Sequence, residues 1–411
     1  SIINNIIRES KDFKERIKLK YLEELENNPL RVRDTIREYI TTFGATCQQT
    51  QGKEILKAKK RVLEKKVKNV ELYAETRTYE NVLIDEAARS NPPDLLIPMS
   101  MAKKRIILVG DHKQLPHLID ENILEYLKEE KKDVKDFIEE EIKKSMFEKL
   151  KTSCEELEKY DGIKRVIMLN RQYRMHPKMG TFISENFYES ELYNGLEEDK
   201  FHNRLKGLEG KAFAWFDISN EDEEKGDKSK YRKKEAEEIA KFIYRNIDSE
   251  EARGKNFGII TFYSRQRLEI LKELANEKNK SYEGQDFIVI RKNKNYTIND
   301  KYRFSNEEGI NEKIRIGTVD AFQGMEFNFV CLSMVRSNKF PSNENNIRKK
   351  FGFLTNRNRL CVAMSRQKEL LAVFGDSKML DGKKYPDIEV LQEYLKMCKE
   401  DGKYGKFESL L

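Results

Sequence analysis

The feature that most constrains this 411-residue chain is a series of short apolar runs, most of them ending at a polar or small residue. They are Asn81–Asp85, Arg105–Val109, Arg165–Leu169, Lys211–Phe216, Phe257–Phe262, Phe287–Ile290, Ile314–Gly317, Phe329–Ser333 and Leu370–Phe374. Runs of this length and continuity read as strands buried on both faces. Charged stretches of helical period lie between them. In 231–247, Ala236, Ile239, Ala240 and Ile243 recur at i, i+3, i+4 and i+7, and in 264–276 Leu268, Leu271 and Leu274 share a face. Strands alternating with helices predict an α/β fold whose sheet is largely parallel. Nine strands are many for one doubly wound sheet, so two sheets are expected, divided near residue 165: a first domain over 1–165 and a second over 166–411. Residues 1–40 read as Glu/Lys/Arg-rich helix interrupted by Pro29, and 119–162 as a charged helical excursion. The stretch 219–233 reads as a polar loop, and 275–312 as an exposed Lys/Asn-rich segment holding one strand.

Composition removes several classes. Charged residues are 37% of the chain, against about 25% in an average domain, and hydrophobic residues are 38%. No apolar run approaches the roughly 20 residues of a membrane-spanning helix. The five cysteines, at 47, 154, 331, 361 and 398, are scattered without a C-x-x-C pair, so neither a disulfide scaffold nor a metal cluster is expected. A reducing, cytoplasmic setting follows. The net charge of +7, from 79 Lys/Arg and 72 Asp/Glu, is equally well explained by a solvated Lys/Glu surface and does not point to nucleic acid. His202 reads as a surface residue.

Two strand ends carry chemistry. Val82-Leu-Ile-Asp-Glu-Ala-Ala88 delivers two adjacent carboxylates at the C-terminal end of a buried strand, the edge where parallel sheets bind ligands. An Asp there can hold Mg²⁺ and the following Glu can activate a water for nucleotide hydrolysis. The alternative is an acidic pair capping a helix. Further on, Ile106-Ile-Leu-Val-Gly-Asp-His-Lys-Gln-Leu-Pro116, whose Asp111 lies 26 residues after Asp85, ends a second strand in a polar turn. Its Gln114 can hydrogen-bond a γ-phosphate or the attacking water; the plain reading is a Gly-containing turn.

Together, DEAA and GDHKQLP resemble superfamily 1 helicases, most closely the 1B group that includes the nonsense-mediated-decay helicase, senataxin and the immunoglobulin-mu-binding helicase. Further matches follow in order: Ser145-Met-Phe-Glu-Lys-Leu150, Leu169-Asn-Arg-Gln-Tyr-Arg-Met-His-Pro177, Phe187-Tyr188 with Leu192, Gly258-Ile-Ile-Thr-Phe-Tyr-Ser-Arg-Gln266, Gly317-Thr-Val-Asp-Ala-Phe-Gln-Gly-Met-Glu326 and Gly352-Phe-Leu-Thr-Asn-Arg-Asn-Arg-Leu-Cys-Val-Ala-Met-Ser-Arg366. The resemblance is dense from about 79 to 376. It implies tandem RecA-like P-loop NTPase domains, with ATP and Mg²⁺ as cofactors and single-stranded DNA or RNA as partner.

The resemblance also implies roles. Asp85 holds Mg²⁺, Glu86 is the base, and Gln114 senses the γ-phosphate. Arg174 and Arg366 are arginine fingers that stabilise charge on the transferred phosphoryl group. Tyr173 stacks on adenine, Glu326 contacts ribose, and Gly324 permits close backbone approach. Arg359 supports the last motif. Arg265, Gln266 and Thr318 meet the nucleic-acid backbone, contacts that read no sequence, while His176 lines the strand path. Thr46, in Phe43-Gly-Ala-Thr-Cys-Gln-Gln-Thr50, sits in a first-domain motif gripping the strand. Two departures stand out: Gln48-Gln49 replace the family's small residues, and His117 stands where a second Pro is common.

The phosphate loop G-x-x-x-x-G-K-[ST] does not occur; the nearest string, Gly44-ATCQQTQ-Gly52-Lys53-Glu54, has the wrong spacing. In the family that loop lies well upstream of the DEAA carboxylates. The expectation is therefore a C-terminal portion of a longer helicase, its first RecA-like domain incomplete, which by itself binds and hydrolyses ATP poorly. Two other readings remain: a non-catalytic nucleic-acid-binding protein, and the helicase module of a larger nuclease or defence protein. By resemblance, translocation runs 5′ to 3′. DNA versus RNA cannot be read from backbone-contacting residues.

Overall fold

The computed structural model describes residues 12–32, 42, 44–51, 79–116, 144–219, 222–225, 229–293, 295–304, 312–341, 343, 346–382 and 385–410. In chain order the main elements are α1 (Phe13–Asn27), β1 (Tyr79–Ile84), α2 (Pro92–Met99), β2 (Ala102–Leu108), α3 (Met146–Asp161), α4 (Pro177–Phe187), β3 (Phe213–Asp217), α5 (Lys233–Asn246), β4 (Phe257–Thr261), α6 (Ser264–Leu274), β5 (Ile314–Thr318), β6 (Phe327–Ser333), α7 (Arg357–Met364), β7 (Gln367–Gly375), α8 (Glu389–Glu400) and β8 (Gly405–Ser409). The chain divides into two compact units, Ser1–Gly110 with His117–Lys149, and Asp111–Pro116 with Leu150–Leu411.

In the first unit β1 and β2 pair in parallel, with Val82 opposite Ile106 and Ile84 opposite Leu108. Strand alternation sends Val82 and Ile84 into a small core with Ala87 and Leu95, against which Cys47, Met99 and Phe147 pack. On these strands Leu83, Ile106 and Ile107 remain exposed.

The second unit is built on a six-stranded, wholly parallel sheet in the order β5-β4-β6-β7-β3-β8. Every residue of Phe257-Gly-Ile-Ile-Thr261 and Phe213-Ala-Trp-Phe-Asp217 is buried. A strand covered on both faces has no use for polar alternation, which is why its sequence is a continuous apolar run. One face packs Phe182 of α4, Leu360 of α7 and Leu391 of α8. The other packs Ile239 and Ile243 of α5 with Ile270 and Leu274 of α6. The helical periods read at 231–247 and 264–276 thus fall on α5 and α6, and the α/β class with a parallel RecA-like sheet holds.

One local expectation fails, a second differs in detail, and one strand escaped the sequence reading. Arg165–Leu169 forms no strand: Ile167 and Leu169 are 72% and 78% exposed. A strand exists only through its neighbours' hydrogen bonds, and among the described residues none pairs with this run. Phe287–Ile290 leads not into the main sheet but into an antiparallel hairpin, Val289–Lys292 with Asn295–Ile298. Edge strand β8 went unread because Gly-Lys-Phe-Glu-Ser is short and half polar, as an edge tolerates. The excursion read at 119–162 lies partly outside the described residues; its end is α3. Residues 219–233 contain a small hairpin, Glu224–Lys225 with Lys230–Tyr231. Among the described residues no helix is long and apolar enough to cross a membrane.

Candidate nucleotide and nucleic-acid site

In the first unit, two backbone bonds close the ends of β1 and β2 over the acidic pair. Val109 N–H donates to Ile84 O (2.8 Å) and Ala87 N–H to Val109 O (2.9 Å). Gly110 sits so close that a Cβ there would lie 2.9 Å from Ala88 N and 3.3 Å from the Phe147 ring. Buried Ala87 and Ala88 anchor the turn, leaving Asp85 and Glu86 exposed. Glu86 takes a left-handed conformation, φ 52° and ψ 34°, and its N–H donates to Asp85 Oδ1 (2.9 Å). A non-glycine residue there is strained, and such strain clusters at functional sites. Thr46 is exposed, and its hydroxyl accepts Gln49 N–H at 3.3 Å.

The second unit gathers four of the expected nucleotide-site residues. The Gln114 carboxamide donates to Asp111 Oδ2 (2.8 Å), and its oxygen accepts from Arg366 Nη2 (3.3 Å). Asn358 Nδ2 donates to Gln114 O (2.6 Å) and His112 O (3.1 Å), holding this turn to α7. Arg366 is 2% exposed; Nε donates to Val362 O (3.0 Å) and Nη2 to Ser365 Oγ (2.8 Å). The preceding residue also receives Arg174, whose Nη1 donates to Ser365 O (3.1 Å) while Nε pairs with Glu326 Oε2 (3.2 Å). Lys368 Nζ lies 2.6 Å from Glu326 Oε1. Partial burial alone would raise the Glu326 carboxyl, but hydrogen bonds and charge from Lys368 and Arg174 outweigh it and hold it below its ordinary value. Gly324, two residues earlier, has φ 76°, open to glycine and costly for others. Tyr173 is 61% exposed, its ring lying against Gly195, where a Cβ would come within 2.3 Å of it. Arg359 lies over the Phe353 ring (4.6 Å) and reaches Asp320 at 3.6 Å.

Two expected nucleic-acid contacts sit elsewhere. His176 is buried between Phe201 and Tyr404 (ring centroids 5.5 and 5.3 Å), and its Nδ1 accepts Lys178 N–H (3.2 Å) as the N-cap of α4. Burial lowers its pKa, keeping the imidazole neutral for that acceptor role. Enclosed this way, His176 serves as the helix cap. Gln266 is likewise fully buried, its amide bridging Arg232 N (2.7 Å) and O (3.2 Å). Both placements share a cause: the motif sits on a helix start, and helical geometry turns one side chain of the motif inward while its neighbour points out. Arg265 is only partly buried, its guanidinium 5.4 Å from the Tyr231 ring. Thr318 ends β5, half-buried.

Sequence reasoning missed a buried ionic network at the C-terminal ends of β3 and β6. Arg232 and Glu235 are both inaccessible and pair at 3.1 Å. Arg232 also donates to Ile218 O, and Glu235 accepts from the Ser333 hydroxyl and from Val335 N–H (3.0 Å). Burial pushes the Glu235 carboxyl up, against the pull of Arg232. Val335 has φ 67°, rare for a β-branched residue. It turns Arg336 onto Lys350 O (Nε, 2.9 Å) just before Gly352 and α7. The signal was present in Arg232-x-x-Glu235, an i, i+3 pair, but nothing local distinguishes it from a surface pair.

The donor set suits a magnesium–nucleotide complex. Hard, exposed Asp85 oxygen fits Mg²⁺, and among the described residues no group of three or more His, Cys, Asp or Glu forms a dedicated metal cage. Mg²⁺ is commonly held by one or two carboxylates together with substrate phosphates and water. Guanidinium forks match phosphate geometry.

In the second unit, Arg174 and Arg366 both bond Ser365, with Glu326 paired to Arg174, beside a six-stranded parallel sheet of the RecA-like α/β class. The chain belongs to the AAA domain family, matched over residues 142–378, and a second AAA domain family matches over 12–122; it is similar to Upf1-like superfamily 1B helicases. It is 28% identical over 313 residues to the regulator of nonsense transcripts 1 homolog of Neurospora crassa, covering 74% of this chain and 23% of that protein. It is 28% identical over 310 residues to the ATP-dependent helicase NAM7 of Saccharomyces cerevisiae, covering 74% and 26%. The chain thus spans about a quarter of the length of these curated relatives. An arterivirus nonstructural protein 10 helicase structure matches with TM-score 0.30 at 12% identity, covering 72% of this chain and 39% of that one.

Proposed function

We propose that this chain is part of an ATP-dependent helicase or translocase acting on single-stranded nucleic acid. The observation that carries the reading is the convergence of Gln114, Arg174, Arg366 and Glu326 around Ser365, which brings motifs from four separate stretches of chain to one place. Arg366 lies beside the Gln114 amide, and Arg174 joins it through Ser365. ATP would be held by Tyr173 stacking on adenine, Glu326 on ribose and Gly324 at close backbone approach, with Asp85 on Mg²⁺. Bound Mg²⁺ supplies electrostatic stabilisation of the phosphates. Glu86 accepts a proton from the attacking water; Gln114 orients that water; Arg174 and Arg366 offset charge that develops on the transferred group.

Strand binding is assigned to Thr46, Arg265 and Thr318, through backbone phosphates and hence without sequence preference. Movement runs 5′ to 3′, with residues 1–165 and 166–411 contributing to two motor domains. The sequence contains no phosphate loop, so the 411-residue chain by itself is expected to turn over ATP little or not at all. The test is single-strand-stimulated ATPase of this chain and of the full-length protein. Turnover only in the latter, abolished by Glu86→Gln with strand binding retained, supports the reading; turnover that survives Glu86→Gln refutes the base assignment. A non-catalytic strand binder would instead show no turnover in either.

A further inference from the structure

Asp111 is the point on which the Gln114 amide turns. Its Oδ2 accepts both the Gln114 Nε2 donor (2.8 Å) and the Tyr188 hydroxyl (2.6 Å), and its Oδ1 accepts Lys113 N–H (2.9 Å). Tyr188 closes α4, the helix that begins at the QYRMHP motif, and its oxygen also lies 3.5 Å from Cys361 Sγ on α7. The two ends of a carboxamide differ only in polarity, and nothing in its shape tells it which end to present. With Nε2 drawn to a carboxylate, Oε1 faces Arg366 Nη2. Turned over, the amide would set N–H against guanidinium N–H and its oxygen against the carboxylate, losing both bonds.

We propose that Asp111 and Tyr188 are positioning residues that lock the Gln114 carboxamide with its oxygen toward Arg366. Asp111 supplies the acceptor, and Tyr188, donating to the same oxygen, fixes the carboxylate rotamer. The lock rests on the reading of Gln114 and Arg366 as nucleotide-site residues. It joins three motifs: the turn after β2, the helix after QYRMHP, and α7, which leads to Arg366.

Tyr188→Phe keeps the ring and removes the hydroxyl. The chain has ten glutamines, so selective ¹⁵N-glutamine labelling gives few carboxamide signals, and Gln114→Ala assigns its own by loss. In the 411-residue chain, Tyr188→Phe is expected to shift the Gln114 Nε2H₂ pair, leaving glutamines distant from Asp111, such as Gln285, in place. In the full-length protein it is expected to lower kcat about two- to tenfold, the worth of one hydrogen bond, with KM for ATP unchanged. On a Gln114→Ala background it should lower kcat no further. An unmoved Gln114 signal overturns the lock, and an equal loss of kcat on the Gln114→Ala background shows that Tyr188 acts elsewhere and overturns it too. Full ATPase in Gln114→Ala would sink the reading of Gln114 itself, a separate outcome that leaves the amide spectrum to decide the lock.

Discussion

Glu235→Ala should be among the most damaging single substitutions in the second unit. Glu235 and Arg232 are both fully buried, so truncating one leaves a guanidinium in the interior without its counter-charge. Breaking such a pair costs about 3–5 kcal/mol. Val335 N–H also loses its acceptor, worth about 1–3 kcal/mol when buried. Some of this returns as Val335 relaxes from its left-handed conformation, strain of about 1–3 kcal/mol. The net is about 4 kcal/mol, a large part of the ~5–15 kcal/mol that stabilises a domain. The chain's single tryptophan, Trp215, is buried in β3 and reports this unit alone. Urea unfolding followed by its fluorescence should show a midpoint lowered by more than about 1 M, at the usual slope of ~1–3 kcal/mol per molar. Glu235→Gln, which keeps the acceptor for Val335 but not the charge, should fall between. A midpoint within about 0.3 M of the parent for Glu235→Ala would refute the network as a determinant of stability.

Other expectations follow from single contacts. Gly110→Ala drives a Cβ into the Ala87–Ala88 backbone and should cost about 1–3 kcal/mol, read by thermal unfolding, whereas an unchanged Tm would show that the turn gives way freely. At position 86, Glu→Gly should be nearly neutral for stability, because relief of left-handed strain offsets chain entropy, while Glu→Val should cost about 1–2 kcal/mol; equal melting of the two variants contradicts the strain. Gly195→Ala should displace the Tyr173 ring and weaken ATP binding up to about tenfold, measured by nucleotide titration of the full-length protein. Glu326, with its carboxyl held below the ordinary value of 4.5, contributes stability that is present above that value and lost as pH falls through the folded one. Lys368→Ala should flatten this acid limb of the stability curve, and an unaltered limb would remove Lys368 as its cause.

Much of the second unit was legible in the sequence because its strands are covered on both faces. Phe257–Phe262 and Leu370–Phe374 had to be unbroken apolar runs, and the stripes of α5 and α6 had to repeat at 3.6 residues. Arg165–Leu169 carries the same pattern and forms no strand, since pairing, not composition, makes a strand. Site residues divide along similar lines. Spacing located the carboxylates after β1 and the arginines of the later motifs, but it could not say which side of a helix start each motif residue occupies. His176 and Gln266 turn inward as cap and bridge, while Tyr173 stays exposed. The Arg232–Glu235 pair was beyond reach, since an i, i+3 charge pair reads alike at the surface and in the core, and only the packing of Ile218, Ser333 and Val335 around it reveals which.

The most direct measurement is single-turnover ATP hydrolysis by the full-length protein, with and without single-stranded nucleic acid, for the parent and for Glu86→Gln. If Glu86 is the base, the variant binds ATP and strand as the parent does and hydrolysis falls by about 10²–10⁴-fold. Hydrolysis at the parental rate in Glu86→Gln would contradict the assignment of Glu86 as the group that activates water.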